Sequence, residues 1–266
     1  ESGICSPRRR IWDFRKGLMW REALKSKSWG VSGTALKWIG VCSMTLSHIG
    51  LALKPLLGEG PGWWLNQAGR PAFVIFAFLL TEGFIYTRSR KRYLGRLLLL
   101  AAVSEIPYDL ALWGRWADPE RQNVFWTLAA GLGALWLAEG LTGLILRRGG
   151  RGTEGDWLLL WTLALAGTAF LGGIFCRALG TDYGGMGILL IAWFYWARDS
   201  RPLQLAGAFA IFLMFVGSDV LAGTCLALIF LSLYNGTRGK HPCPAFFYWY
   251  YPVHLAVLAL AGRLLT

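Results

Sequence analysis

The sequence predicts an all-α integral membrane protein that crosses the bilayer about nine times, with its N-terminus in the cytoplasm and its C-terminus on the extracytoplasmic side. Three observations predict it. Hydrophobic residues make up 55% of the 266 residues and charged residues only 16%, whereas soluble domains carry about 25% charged residues. The apolar residues fall in uninterrupted runs, several of them close to the ~20 residues that cross a ~30 Å hydrocarbon core at ~1.5 Å per residue. The loops between those runs alternate between rich and poor in Lys and Arg, which is the pattern that fixes orientation in a membrane.

Residues 1–33 precede the first run. Arg8, Arg9, Arg10, Arg15, Lys16, Arg21, Lys25 and Lys27 are interleaved there with Trp12, Phe14, Leu18, Met19 and Trp20. That composition suits an amphipathic cytoplasmic segment on the anionic inner leaflet, and equally a solvated basic tail. It lacks the apolar core of a cleavable signal. Residues 34–266 hold the spans: 34–53, 71–86, 93–113, 123–146, 157–179, 184–197, 202–216, 220–233 and 245–264. The sixth to eighth are shorter than a usual crossing, as broken or re-entrant helices are. No internal repeat and no second domain is visible.

The N-terminal segment and the loops after the even-numbered spans are basic. Arg88, Arg90, Lys91 and Arg92 follow the second span, and Arg147, Arg148 and Arg151 the fourth. Arg198 and Arg201 follow the sixth, and Arg238 and Lys240 the eighth. The intervening loops hold Lys54 and Arg70, then Arg115 and Arg121, then none at 180–183 or 217–219. The net charge of +12 is therefore a topology signal, and no nucleic-acid partner is expected. The five cysteines (Cys5, Cys42, Cys176, Cys225, Cys243) are scattered, without zinc spacing, so they are expected to be buried thiols and no metal site is expected. Oligomeric state leaves no mark in the sequence.

Ionisable groups inside spans are costly and mark function. Lys37 and His48 lie in the first span, eleven residues apart, on one helix face at a separation of about 16 Å. Glu82 is in the second span. Glu105 and Asp109 occupy i and i+4 of the third, with Pro107 between them to bend the helix. Asn123 opens the fourth, Asp182 and Tyr183 precede the sixth, Asp219 opens the eighth, and His254 lies mid-span in the ninth beside Tyr250 and Tyr251. On the predicted topology His48, Arg70, Asp109, Asn123 and Asp182 fall towards the outside, and Glu82, Glu105 and His254 nearer the middle. A polar path would then start at the basic run Arg88–Arg92 inside. Each group also has a structural reading: Glu105 and Asp109 would pair with Arg70 or Arg96 to hold helices together. The Gly131-x-Gly133 pair would be a helix contact rather than a nucleotide loop.

Several segments together resemble the TraX family, membrane acetyltransferases named for the conjugative pilin N-acetylase. They are Leu36-Lys-Trp-Ile through Ser-His48-Ile-Gly50, Gly69-Arg-Pro-Ala-Phe through Thr-Glu82-Gly-Phe, and Tyr86 through Tyr93. Ser104-Glu-Ile-Pro-Tyr-Asp109-Leu, Gln122-Asn-Val-Phe125, Asp182-Tyr-Gly184, Tyr234-Asn-Gly236 and Tyr251-Pro-Val-His254 follow in family order. The family is similar to the wider transmembrane acyltransferases, including the acyltransferase type three proteins. Those carry a basic residue and a His in the first span at the spacing of Lys37 and His48. Where TraX-like proteins have Asp-His, this chain has Ser47-His48.

The resemblance implies acetyl transfer from cytoplasmic acetyl-CoA to an amine or hydroxyl at the outer side, with no metal. The acceptor would be a pilin, a glycan or a small molecule, the pilin N-terminus first, and the location the inner or plasma membrane. His48 would be the general base, with Glu105 or Asp109 orienting it. Lys37, Arg88, Arg90, Lys91 and Arg92 would bind the cofactor's phosphates. Arg70, Glu82, Asn123, Asp182, Tyr183, Tyr251 and His254 would line the substrate path, with Asn123 or His254 donating to the oxyanion. Two other classes stay open: a transporter or flippase using the same buried charges, and a family member acting as an assembly subunit.

Overall fold

The computed structural model describes residues 29–147, 153–216, 221–240 and 244–265. Residues 1–28 of the basic segment expected over 1–33, and Arg148, Arg151, Asp219, Cys5 and Cys243, lie outside them. Among the described residues the protein is all-helical, with only two isolated bridges, Val31 with Tyr234 and Gln122 with Thr181. The helices are α1 Gly33–Ala52, α2 Lys54–Leu57, α3 Glu59–Gly69, α4 Pro71–Tyr86, α5 Arg90–Trp113 and α6 Val124–Arg147. They continue with α7 Glu154–Ala178, α8 Gly184–Trp196, α9 Arg201–Val216, α10 Leu221–Ser232 and α11 Pro244–Leu265.

Local chemistry sets several boundaries. The Ser32 hydroxyl accepts the Ala35 N–H and opens α1. Thr153 and Asp156 form a reciprocal capping box at the start of α7, satisfying N–H groups that would otherwise be orphaned. Pro71 sits where its missing N–H costs nothing, at the start of α4. Gly114 closes α5 in the left-handed conformation, at φ 66°.

Among the described residues, four helical stretches are long and apolar enough to cross a membrane: Glu59–Tyr86, Val124–Leu146, Gly155–Ala178 and Ala245–Leu265. Gly184–Trp196, Arg201–Val216 and Ala222–Ser232 are shorter apolar helices. On α7 the apolar face is turned outwards, with Leu159, Leu163, Phe170 and Leu171 all exposed. An exposed apolar face of this kind suits contact with a lipid bilayer or a protein partner.

One segment departs from expectation. Residues 54–70, expected as the loop between the first and second spans, form α2 and α3, and Arg70 keeps a helical backbone so that α3 runs into α4. The glycines serve packing: a Cβ on Gly69 would meet that of Ser47 at 2.1 Å, and one on Gly50 would meet the Gly62 carbonyl at 2.7 Å. Small residues let α1 and α3 touch backbone to backbone, and Ser47 Oγ donates to Asn66 Oδ1 across the contact at 2.9 Å. The cysteines also differ from expectation, since Cys176 is buried but Cys42 and Cys225 are exposed.

The main core joins α4, α6, α7 and α8 around Phe78, Leu132, Leu135, Ile188, Ile191 and Phe194. A second cluster brings Met44, Ala72, Tyr108, Tyr251 and Leu255 together from α1, α4, α5 and α11. The functional candidates lie between these clusters.

Candidate functional site

A cavity of about 1040 Å³ opens between α1, α4, α5, α6 and α11. Gly33, Lys37, Val41, Met44, Ser47 and His48 all line it from α1. Their spacing keeps one helix face on the cavity for about 22 Å, at ~1.5 Å per residue. Its two ends differ in chemistry.

The end beside the start of α1 is basic. Val31 N–H donates to the Leu233 carbonyl, Gly33 N–H to Thr237 and Thr34 N–H to Arg238, at 2.8 to 3.0 Å. These bonds strap the 233–238 loop onto α1 and bring Lys37 and Arg238 to one wall. Arg88, Arg96, Arg198 and Arg201 complete the ring of cations lining the cavity. Arg198 Nε and Arg201 Nη1 are buried without a hydrogen-bond partner. Arg201 lies over the rings of Phe78 and Tyr234, 4.6 and 5.2 Å from their centroids. Glu82 faces Arg201 and accepts a hydrogen bond from Tyr234 Oη at 3.2 Å.

The run Arg88–Arg92 divides. Arg88 lines the cavity, whereas Arg90, Lys91 and Arg92 do not. Arg90 pairs with Glu139, which also accepts from Tyr195 Oη, and covers the Phe84 ring at 4.3 Å. Lys91 and Arg92 are exposed. Arg198, Arg201 and Arg238 were legible only as orienting charges, and Arg96 only as a pairing partner for Glu105 or Asp109. Their convergence was implicit in three basic segments sharing one predicted side of the membrane.

The opposite end carries His48 and Tyr251 on the wall. Behind His48 lies His254, with His48 Nδ1 and His254 Nε2 2.7 Å apart and the two rings nearly parallel. His254 Nδ1 is 2.8 Å from the Tyr250 carbonyl. A carbonyl can only accept, so that nitrogen carries the proton. With both rings neutral, His254 Nε2 must then accept from His48 Nδ1–H, leaving the lone pair on His48 Nε2. His254 thus occupies the orienting position expected of a carboxylate.

Glu105 and Asp109 are engaged elsewhere. Glu105 accepts from Asn123 N–H at 3.3 Å, Asn123 Nδ2 at 2.6 Å and Trp126 Nε1 at 2.8 Å. Asn123 Nδ2 also donates to the Ala101 carbonyl, and its Oδ1 accepts Phe125 N–H to cap α6. Asp109 Oδ2 accepts Asp118 N–H at 2.8 Å and ties down the loop after α5. None of the three lines the cavity.

Asp182 and Tyr183 reach the cavity from the turn before α8. Tyr183 is the non-glycine residue with positive φ among those described, at 62°, a conformation that costs an L-residue about 1–2 kcal/mol. It is held by stacking on Phe73 at 3.7 Å and by Thr127, whose hydroxyl donates to the Asp182 carbonyl. Burial pushes the Asp182 carboxyl up to about 6, against the opposing pull of the Tyr183 N–H and Arg70. The Tyr183 phenol is also raised, first by burial and then by Asp182. Arg70 lies beside this pair without lining the cavity.

The TraX protein family matches residues 32–261. The chain belongs to the TraX family. It is also similar to a protein of Dichelobacter nodosus described as a probable fimbrial assembly protein, FimC of serogroup H1. The two are 28% identical over 249 residues, which cover 90% of this chain and 99% of that relative. No solved structure matches the chain. The TraX match covers every segment that lines the cavity, from Gly33 to Tyr251.

Proposed function

We propose that this TraX-family protein is a membrane-bound, acetyl-CoA-dependent acetyltransferase. The observation that carries the reading is an imidazole nitrogen with a free lone pair, His48 Nε2, on the wall of a cavity whose far end is ringed by arginines. In this reading the chain crosses the inner or plasma membrane about nine times, N-terminus inside, and the arginine-lined mouth faces the cytoplasm. Acetyl-CoA enters there. Its phosphates engage Arg88, Arg198, Arg201, Arg238 and Lys37, since guanidinium groups bind phosphate through paired N–H donors. The pantetheine arm lies along the apolar face of α1 formed by Val41 and Met44 and brings the thioester towards His48.

The acceptor amine or hydroxyl arrives from the outer side, where Asp182 and Tyr183 stand. His48 Nε2 takes its proton as the nucleophile attacks the acetyl carbon, and the imidazolium returns a proton to the departing CoA sulfur. His254 keeps His48 in the competent tautomer. The relative's description as a fimbrial assembly protein supports a pilin N-terminus as the first acceptor to try. A glycan hydroxyl or a small molecule offers the same nucleophile.

The test is acetyl-CoA turnover by purified protein in lipid, wild type against His48→Ala. Loss of turnover with acetyl-CoA binding retained is the expected result; undiminished acetyl transfer would remove His48 from the mechanism. The relative's description also favours a second reading, a fimbrial assembly subunit. Stable co-purification with pilus components and no affinity for acetyl-CoA would select it.

A further inference from the structure

A base alone leaves the chemistry half supported. As the acceptor attacks the acetyl carbonyl, the carbonyl oxygen takes on negative charge, and an apolar site needs a hydrogen-bond donor aimed at it. Most polar atoms near His48 are already committed. Both amide hydrogens of Asn123 are held by Ala101 and Glu105. His254 spends its proton on the Tyr250 carbonyl. Ser47 donates to Asn66, and the Tyr250 hydroxyl is paired with Thr45 at 2.6 Å.

Tyr251 is different. It lines the cavity on the same wall as His48 and is almost fully buried. Its ring meets His48 edge-on at 5.8 Å and Phe125 edge-on at 4.9 Å. Its hydroxyl has no hydrogen-bond partner. Among the described residues, the other cavity-lining ones with partnerless buried atoms are Arg198 and Arg201, at the opposite end. Buried hydroxyls are satisfied in the great majority of cases, and an exception calls for a role.

We infer that the Tyr251 hydroxyl is the donor that stabilises the oxyanion of the transferring acetyl group, making Tyr251 a catalytic residue beside His48. This rests on the acetyltransferase reading. In the step, the acceptor's lone pair forms the new bond to the acetyl carbon and the carbonyl π pair moves onto oxygen. Tyr251 O–H hydrogen-bonds that oxygen without giving up its proton, and His48 Nε2 takes the acceptor's proton. The oxygen's electrons then re-form the carbonyl as the carbon–sulfur bond breaks. CoA leaves with the proton His48 held. The Tyr251 O–H can thus donate to a carbonyl oxygen without breaking a hydrogen bond within the protein.

The experiment measures CoA release from acetyl-CoA in proteoliposomes, with hydroxylamine as the probe acceptor, for wild type, Tyr251→Phe and His48→Ala. Phenylalanine preserves both ring contacts and removes only the hydroxyl, so the thermal midpoint should not fall. The expected result is a kcat lowered about 100- to 1000-fold in Tyr251→Phe, the range for loss of one oxyanion donor, with KM for acetyl-CoA within about twofold of wild type, as uniform binding is untouched. An inactive His48→Ala with a wild-type kcat in Tyr251→Phe would overturn the role of Tyr251 and leave the acetyltransferase reading standing. A fully active His48→Ala, or a wild-type protein that releases no CoA above background, would overturn that reading and this inference with it.

Discussion

Replacing Glu105 with alanine separates a structural carboxylate from a catalytic one. In the native protein its two oxygens accept from the Asn123 backbone N–H, Asn123 Nδ2 and Trp126 Nε1. Asn123 is fully buried, and its side-chain amide keeps the Ala101 carbonyl when Glu105 is lost. Its backbone N–H and the Trp126 indole N–H are left without this acceptor. An orphaned buried donor costs about 1–3 kcal/mol. Trp126 and Glu105 are only half-buried, so its N–H belongs at the low end. The sum is about 2–4 kcal/mol, roughly a 30- to 1000-fold loss in the folded-to-unfolded ratio at ~1.4 kcal/mol per decade. Thermal or denaturant unfolding of purified Glu105→Ala in detergent measures it. Glu105→Gln, which keeps one acceptor oxygen, should lose less. The molecules that remain folded should turn over acetyl-CoA at the wild-type rate. An Ala variant as stable as wild type, or one that is stable and inactive, would refute the assignment of Glu105 to the α5–α6 clamp.

Three further outcomes are expected. His254→Met removes the acceptor that holds the His48 proton on Nδ1 and should lower kcat about 10²–10⁴-fold, the span for general-base assistance, while His254→Gln, which can still accept, should retain more; a circular dichroism spectrum matching wild type checks that the loss is chemical. Arg238→Ala should raise KM for acetyl-CoA about tenfold, as for loss of one charge-assisted hydrogen bond, whereas Arg92→Ala, exposed and away from the cavity, should leave it unchanged in the same steady-state assay. The Asp182 carboxyl, held at about 6 against an ordinary 3.8, binds its proton more tightly in the folded than in the unfolded chain, so its contribution is most favourable below pH ~4 and is lost as pH rises through about 4 to 6, by at most about 3 kcal/mol. Asp182→Asn should flatten that part of the profile of unfolding midpoint against pH.

Much of the helical order was legible. The expected bounds of the second span, 71–86, match α4, with Thr87 leaving the helix in an extended conformation, but the apolar helical stretch reaches back through α3 to Glu59. The other described helix ends lie within about three residues of expectation, since apolar runs between polar breaks leave little choice in hydrocarbon. Residues 54–70 form helix where a loop is expected, for a specific reason. Glycine disfavours a helix by about 1 kcal/mol in isolation, but here it is required by the approach of α3 to α1 at Ser47 and Gly50. The partners of the candidate residues were less legible still. Glu105 and Asp109 share a helix face with each other, yet Asn123, Trp126 and Asp118 claim their oxygens.

By itself the sequence determined that this chain is helical and apolar, that it belongs with TraX proteins, and that His48 and Lys37 share a face of the first helix. These are properties of composition and of spacing along one helix, which the 3.6-residue repeat fixes locally. Only the tertiary structure decided which residues meet. His48 and His254 are separated by 206 positions, and the arginines of the cavity come from four different segments. Such contacts depend on how helices pack and which loops are strapped together, as the 233–238 loop is to α1. The same packing sets the Tyr251 ring edge-on to the imidazole and leaves its buried hydroxyl with no hydrogen-bond partner.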